Sequence, residues 1–293
     1  MQDKKTQLTK AMRWKIADWL AEERLDKVNV LCEHVSYKET FYSKYLKRAI
    51  DILISLIALL LVLPVNLVIG IITFFDVGSP IFFMQERIGR NGRAFKIVKF
   101  RNMKETRDKN GELLPPDQRV TKWGKFVRRT SLDELLNFYS VLKGDMSLIG
   151  PRPLPPEYLH RYNVRHKMRL AVRPGLECPP KNRLDHVRTW QERFENDLWY
   201  VEHVSFITDC RVLIRLVQFA LNRNNTHARA ESTGGTFMGY DDNGVAIDLD
   251  HVPEEFIDRA LSEIEIGQVP MLTDFEGLRQ HVDEHHQEYF PLF

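Results

Sequence analysis

The stretch DILISLIALLLVLPVNLVIGIITFFD, from Asp51 to Asp76, decides the architecture of this chain. Between its two terminal acids lie 24 residues without a charged side chain, enough for a helix that spans roughly 30 Å of hydrocarbon. Pro64 stands near the middle, where its ring removes a backbone hydrogen bond and clashes with the preceding turn, at a cost of about 3 kcal/mol in a helix interior. The segment therefore either crosses a membrane as a kinked helix or enters one leaflet and turns back.

The charges on either side of this stretch favour re-entry. Three cations precede it within FYSKYLKRAI, where aromatic residues alternate with them in a composition typical of a membrane interface. Four more cations, in ERIGRNGRAFK, follow within about 20 residues. A crossing helix is positive mainly on its cytoplasmic side, whereas this stretch is positive on both. We therefore predict a helix-break-helix hairpin in one leaflet, with the break at Pro64 and Asn66 near the bend.

Composition narrows the functional classes. The 293 residues are 43% hydrophobic, which excludes a disordered chain, and the net charge of +2 hides a strong asymmetry. Residues 226–293 hold 15 acids and three arginines, so that the preceding part carries +14. A basic body faces nucleic acid, phosphorylated substrates or an anionic membrane. Its cations cluster beside the apolar stretch and no nucleic-acid motif occurs, so we predict no nucleic-acid partner. Three scattered cysteines indicate reduced thiols on a cytosolic face.

Hydrophobic periodicity and turn residues predict a mostly helical α+β chain. A helix over residues 5–27 either lies on a lipid surface or packs against the body. Alternating residues around 80–103, with Gly89 and Gly92 at the turn, predict a small β-hairpin. Further helices are predicted at 132–142, 156–167, 205–222, 253–264 and 274–287, and a short hairpin in TFMGYDDNGVAIDL.

The domain organisation follows from these elements. We predict an N-terminal helical extension at 1–40, interfacial and re-entrant membrane helices at 41–78, a catalytic domain at 79–224 and an acidic C-terminal α/β extension at 225–293. The role of the acidic extension stays open among regulation, partner docking, dimerisation and plain stability. Such an extension is compatible with a homodimer.

Adjacent acids Asp133 and Glu134 mark the candidate site. Ser131 followed three residues later by Glu134 predicts a capping box, so that both acids could simply cap a helix. The same helix start would also keep Asp133 ionised and attract phosphate. Together with Arg128 and Arg152, the pair makes a plausible phosphoryl-transfer centre, which requires a divalent cation because an anionic nucleophile is otherwise repelled by a diphosphate.

Two cations of FKIVKFRNM are weaker candidates. Lys99 and Arg101 could surround the anionic site and bind phosphate, or lie with Lys96 on a solvated strand face. The residues alone leave both alternatives open.

Several motifs in order closely resemble the bacterial sugar transferases that act on polyprenyl phosphate, the monotopic phosphoglycosyl transferases. The matching pieces are KRAIDILIS, SPIFFMQERIGRNGRAFKIVKFRNM, RRTSLDELLNFYSVLKGDMSLIGPRPLPPEY, VRPG and FENDLWYVEHVSF. They cover about 60% of the chain, from about Lys44 to Asn222. After VRPG, many members continue with a GWAQVNGR-like stretch, whereas this chain has LECPPKNRLDHVRTW. The donor sugar is therefore left undefined.

The resemblance implies transfer of a sugar phosphate from a UDP-sugar to polyprenyl (undecaprenyl) phosphate, with release of UMP, as the first step of glycoconjugate or polysaccharide assembly. Asp133 would attack the β-phosphorus and carry the sugar phosphate as an acyl phosphate. Glu134 would help Asp133 to hold Mg²⁺, and Arg152 and Arg128 would bind phosphate. The hairpin would break at Pro64 in the bacterial inner membrane, with the soluble part on the cytoplasmic face. The alternative is a catalytically silent, membrane-docked scaffold or nucleotide-binding regulator.

Overall fold

Helices dominate the fold, and the sheets are small. The computed structural model describes residues 2–107, 114, 116–179, 186–221 and 235–263. The α-helices are α1 (Gln2–Gln7), α2 (Lys10–Leu31), α3 (Lys47–Val77), α4 (Pro116–Arg119), α5 (Lys122–Thr130), α6 (Asn137–Lys143), α7 (Val164–Lys167), α8 (Trp190–Glu202), α9 (Phe206–Leu221) and α10 (Glu254–Glu263). The strands are β1 (Phe82–Ile88), β2 (Ala94–Phe100), β3 (Ser147–Ile149), β4 (Gly175–Glu177), β5 (Gly239–Tyr240) and β6 (Ala246–Ile247). The predicted mostly helical composition is confirmed.

The apolar stretch forms one helix. A π-helical turn at Tyr42–Leu46 leads directly into α3, which has Pro64 in its interior. Within the described residues, this is the one helix long and apolar enough to cross a membrane. The predicted interruption at Pro64 is wrong, because helical backbone continues through it. A proline removes one hydrogen bond from the ladder and bends a helix, but the bonds on either side can persist.

Both ends of α3 are attached to the body. At its start, Arg48 donates to the carbonyl oxygens of Val141 and Leu142 at 2.6 and 2.7 Å, where a cation stabilises the C-terminal end of α6. Near its end, the Trp123 indole donates to the Thr73 hydroxyl at 3.2 Å. The two attachments lie on opposite sides of Pro64.

The middle of α3 is exposed. The buried residues of this helix lie near its two ends: Asp51, Ser55, Ile69, Gly70 and Thr73. None of residues 56–68 is buried, and Leu61 is 72% exposed. We call α3 the arch because it is held at both ends and exposed around Pro64.

The predicted hairpin is confirmed. Strands β1 and β2 pair antiparallel from Phe82 opposite Phe100 to Ile88 opposite Ala94. The turn between them is a short 3-10 segment in which Gly92 has φ 75°, a left-handed conformation that glycine adopts without strain.

The segment around Ser131 differs from the prediction. Ser131 has φ 57°, and its backbone N–H donates to the Arg128 carbonyl at 3.1 Å, so that it ends α5. Its side chain caps nothing, and a 3-10 turn at Leu132–Glu134 precedes α6. The predicted capping box is therefore wrong, and the helix begins later. Its predicted end at Gly144, with φ 104°, is confirmed.

The N-terminal and C-terminal segments pack on each other. Helix α2 buries Ile16 and Leu20 against Met238 and Phe256, within one continuous apolar cluster. Burial of these side chains removes apolar surface from water. Of the two alternatives for this helix, the structure supports packing against the body.

Other predicted elements are partly recovered. The tail hairpin forms with Gly244 in its turn at φ 81°, and α10 lies within the predicted 253–264. The helix predicted at 156–167 is instead a 3-10 segment, Pro156–Arg161, followed by α7, because the Asn163 side chain caps a new start. The helix predicted at 274–287 lies outside the described residues. All three cysteines are free thiols, as predicted.

Candidate active site

Three separate elements bring the candidate residues together. The 3-10 turn after α5 carries Asp133 and Glu134, strand β2 carries Lys99, and the loop after β3 carries Arg152. A small buried cluster of Ile97, Val141 and Met146 holds β2, α6 and the residue before β3 against each other. The site is thus assembled from parts of the chain about 50 residues apart.

One oxygen of Glu134 accepts hydrogen bonds from two cationic side chains. Its Oε1 lies 2.6 Å from Lys99 Nζ and 2.6 Å from Arg152 Nη2. Burial acts to raise the pKa of this carboxyl, but the two cations outweigh it and lower the pKa to about 2. Glu134 is therefore ionised at neutral pH and fixes the position of both cations.

Arg152 is held from a second side. Its Nη1 donates to Glu177 Oε2 and to the Leu176 carbonyl oxygen, each at 3.3 Å. Burial works against its charge, yet the two glutamates outweigh this and raise the pKa of Arg152. Strand β4, which carries these partners, lies so close to β3 that a Cβ at Gly175 would be 2.1 Å from the Gly150 nitrogen. Only glycine fits this contact.

Asp133 differs from Glu134 in its burial and in its hydrogen-bond partner. It is 6% exposed, and its Oδ2 accepts a hydrogen bond from Asn102 Nδ2 at 3.3 Å. Among the ion pairs of the described residues, none involves Asp133. Burial and the charge of Glu134 raise its pKa, while Lys99 and Arg128 act in the opposite direction. The two acids thus have oppositely shifted pKa values, a pattern found where adjacent carboxylates have different roles.

A close backbone contact positions Asn102 beside Asp133. Gly124 in α5 lies so near the loop after β2 that a Cβ there would be 2.1 Å from the Asn102 carbonyl oxygen. The same helix ends at Ser131, two residues before Asp133. This contact therefore sets the distance between the Asn102 amide and the Asp133 carboxylate.

Sequence reasoning missed Arg87. It lines a cavity of about 20 Å³ together with Lys99, Glu134, Asn137 and Arg152. Its Nη2 donates to the Gln85 side chain at 2.7 Å, but its buried Nε has no partner among the described residues. Burial and the charge of Arg152 lower its pKa.

The pairing register of strands β1 and β2 could have revealed Arg87. Strand residues two apart share a face, and the pairing of Gln85 with Ile97 puts Arg87 on the same face of the hairpin as Lys99. The sequence does not fix that register by itself.

The two remaining sequence candidates, Arg101 and Arg128, form no ion pair with Asp133 or Glu134 among the described residues. Arg101 donates to the carbonyl oxygens of Val77 and Gly78 and lies 3.6 Å from Glu105, so that it holds the end of the arch. Arg128 is exposed in the last turn of α5 and acts on Asp133 through its charge. Their binding of substrate stays a prediction.

The carboxylates suit a cation that is shared with a substrate. The described residues contain no group of three or more His, Cys, Asp or Glu side chains placed to hold a metal. Mg²⁺, however, is commonly held by one or two carboxylates with phosphate oxygens and water. Asp133 and Glu134 fit that mode of binding, with the phosphates supplied by the substrate.

Comparison with known proteins decides the family. The model of the bacterial sugar transferase family matches residues 42–223, which is more than half of the chain and includes the whole candidate site. This chain is a bacterial sugar transferase. Family membership accords with the resemblance of its motifs.

Three relatives illustrate the family's range. The chain is 36% identical over 197 residues to an uncharacterised sugar transferase, EpsL, of Bacillus subtilis, covering 67% of this chain and 98% of EpsL. It is 32% identical over 206 residues to an undecaprenyl-phosphate galactose phosphotransferase of Salmonella typhimurium, covering 63% of this chain and 42% of the relative. It is 31% identical over 185 residues to a UDP-N-acetylgalactosamine-undecaprenyl-phosphate N-acetylgalactosaminephosphotransferase of Aeromonas hydrophila, covering 60% and 44%. The chain thus spans less than half the length of the two relatives with a named activity.

Proposed function

We propose that this sugar transferase moves a sugar phosphate from a UDP-sugar to polyprenyl phosphate, the first step in building a glycoconjugate or polysaccharide. The observation that carries the proposal is the contrast between the two acids. Glu134 is held by Lys99 and Arg152, whereas Asp133 is buried beside it without an ion-pair partner among the described residues. Relatives named as undecaprenyl-phosphate sugar phosphotransferases support the class of acceptor.

In the first step, a carboxylate oxygen of Asp133 attacks the β-phosphorus of the donor. The new O–P bond forms as the bond from that phosphorus to the bridging oxygen breaks, and UMP leaves with the electron pair. The sugar phosphate stays on Asp133 as an acyl phosphate. Splitting one displacement into two is the usual benefit of a covalent intermediate.

In the second step, an oxygen of polyprenyl phosphate attacks the same phosphorus. The Asp133 carboxylate is the leaving group, so the enzyme returns to its starting state and a polyprenyl diphosphate-linked sugar is formed. Because the acceptor oxygen is already ionised at neutral pH, this step needs no general base.

The cations around the dyad, the adjacent acids Asp133 and Glu134, would bind the donor's diphosphate. The lining of the small cavity holds one acid, Glu134, and three cations, Lys99, Arg152 and Arg87. A diphosphate that approaches Asp133 would accept hydrogen bonds from these side chains as they exchange partners. Mg²⁺ held by Asp133, Glu134 and the diphosphate would neutralise charge on the phosphates.

The arch would place this chemistry at a membrane surface. Both ends of α3 are attached to the same body while its middle is exposed and apolar. This arrangement supports a re-entrant segment with Pro64 at its deepest part. The proposal places the soluble part on the cytoplasmic face of the inner membrane, as the resemblance to the family implies. A polyprenyl chain could then stay in lipid while its phosphate meets Asp133.

The proposal is tested by measuring UMP release. Purified protein in a membrane mimetic is incubated with a panel of UDP-sugars, Mg²⁺ and undecaprenyl phosphate. At least one donor should release UMP, and Asp133→Asn should abolish release. Asp258→Asn, which changes an exposed aspartate in α10, is the matched control and should leave the rate unchanged. No release from any donor would favour a membrane-docked scaffold.

A further inference from the structure

A large apolar cavity lies beneath the arch. It has a volume of about 780 Å³ and is lined on one side by a single stripe of α3. Leu56, Leu60, Leu63 and Leu67 of this stripe recur every three or four residues, so they share one helix face that continues past Pro64. The cavity is therefore a groove between the inner face of the arch and the body, open to the surroundings of the helix.

The floor of this cavity is the reverse side of the candidate active site. On β2, Lys99 lines the small cavity with Glu134, and its neighbour Phe100 lines the large one, as alternation along a strand requires. After the dyad, Asn137 faces the small cavity, whereas Leu136 faces the large one. Two structural walls thus separate a charged compartment from an apolar compartment.

We propose that the cavity beneath the arch receives the part of the polyprenyl chain nearest the acceptor's phosphate. This inference rests on the proposed function. An acceptor with a charged head and a long apolar tail matches two adjoining compartments of opposite character. With its first isoprene units under the arch, the acceptor would extend its phosphate around the end of β2 toward Asp133.

The cavity would contribute orientation more than affinity. The bilayer interior is as apolar as this cavity, so moving the chain from one to the other gains little transfer free energy. The benefit is to hold the attacking oxygen in line with the phosphorus, and small displacements of reacting groups lower rates strongly. The expected signature is therefore a lower turnover rate with a long acceptor when the cavity is filled.

Adjacent leucines on the arch provide a matched test. Leu60 lines the cavity and is 66% exposed, whereas Leu61 does not line it and is 72% exposed. On the other side of Pro64, Leu67 lines the cavity at 61% exposure and Val68 does not at 56%. Leu60→Trp and Leu67→Trp place a larger side chain in the cavity, while Leu61→Trp and Val68→Trp make the same change on the outer face.

The four full-length variants are reconstituted in lipid vesicles and compared with two acceptors. One is undecaprenyl phosphate, and the other is methyl phosphate, a short acceptor that has no isoprene units to place beneath the arch. The two cavity variants should lose about tenfold or more in kcat with the long acceptor, because its phosphate is displaced. They should change less than about twofold relative to the outer-face variants with the short acceptor, which can bypass the cavity.

Formation of the Asp133 adduct from donor alone separates this inference from the proposed function. If the unmodified protein and all four variants form the adduct, all five fold and perform the first step. Equal rates in cavity and outer-face variants would then overturn the inference and indicate that bilayer lipid fills the cavity. Equal losses with both acceptors would overturn it too. Lack of adduct and UMP in the unmodified protein would contradict the proposed function itself.

Discussion

Glu134→Gln removes the anion that holds two cations of the site in place. The pKa of Glu134 falls from an ordinary 4.5 to about 2, which corresponds to about 3 kcal/mol of preference for the charged form in the folded protein. The variant leaves Lys99 and Arg152 close together without their shared carboxylate. We expect its free energy of unfolding at pH 7 to fall by up to about 3 kcal/mol.

Thermal unfolding in a fixed membrane mimetic measures this loss. With about 2.1 cal/mol/K of unfolding entropy per residue, each kcal/mol lowers the Tm of a 293-residue chain by roughly 1.6 °C, so a decrease of up to about 5 °C is expected. Because folding lowers the pKa of Glu134, its stabilisation is complete above pH 4.5 and is lost as the pH falls through about 2. The difference in Tm between the two proteins should therefore shrink as the pH is lowered from 5 toward 2.

Glu177→Gln is the matched control. Among the described residues, the one ion pair of Glu177 is with Arg152, at 3.3 Å, and its Oε1 also accepts from the Cys178 backbone N–H, which a glutamine oxygen can replace. The change leaves the Lys99 pair intact. Its Tm should fall by less than that of Glu134→Gln. The electrostatic reasoning is refuted if Glu134→Gln unfolds at the temperature of the unmodified protein at pH 7, or if the control variant loses as much.

Three further outcomes are expected. The rate of Asp133 adduct formation should rise with pH, because only the ionised carboxylate attacks. The midpoint should lie above the ordinary aspartate pKa of 3.8, because burial and the charge of Glu134 raise the pKa of Asp133. A midpoint at or below 3.8 would contradict the assignment of Asp133 as the nucleophile. Gly124→Ala should lower Tm and turnover because its added Cβ would be 2.1 Å from the Asn102 carbonyl oxygen. Gly70→Ala, whose added Cβ would be 3.6 Å from its nearest neighbours, should leave Tm nearly unchanged, and an equal loss of Tm in both variants would refute the contact argument. Arg87→Gln should raise KM for the donor about tenfold while Tm stays unchanged, and Arg87→Lys should restore part of the loss. An unchanged KM in Arg87→Gln would show that Arg87 does not bind the donor.

Local patterns predicted the elements whose determinants are local. The glycine-containing turn between two alternating segments was sufficient to locate the β1–β2 hairpin, and Gly144 was sufficient to end α6. In each case the residue that requires the conformation lies within the element or directly beside it.

The Ser131 prediction failed because two local patterns competed. The segment S-L-D-E satisfies a capping box, but the basic helix before it extends one residue further and takes the Ser131 N–H for its own last turn. Glu134 then turns toward Lys99 and Arg152 and not toward Ser131. Tertiary charge pairing outweighed the local cap.

Long-range pairings were beyond the sequence. Nothing in residues 10–31 indicates that their apolar stripe meets residues more than 200 positions later. Lys99 and Arg101 were indistinguishable as candidates, yet Lys99 lies within β2 and pairs with Glu134, whereas Arg101 follows the end of that strand and donates to the Val77 carbonyl oxygen. Asp133 and Glu134 could be singled out from the sequence because they are adjacent in it, and their chemical roles stay a prediction.

The central claim is that Asp133 carries the sugar phosphate. Purified protein is incubated with an accepted UDP-sugar and Mg²⁺ but no acceptor, quenched, digested and examined by mass spectrometry. The account predicts one added sugar phosphate on the peptide that contains Asp133, removed when polyprenyl phosphate is supplied. Normal turnover with no such adduct, or with the adduct on another residue, would contradict it.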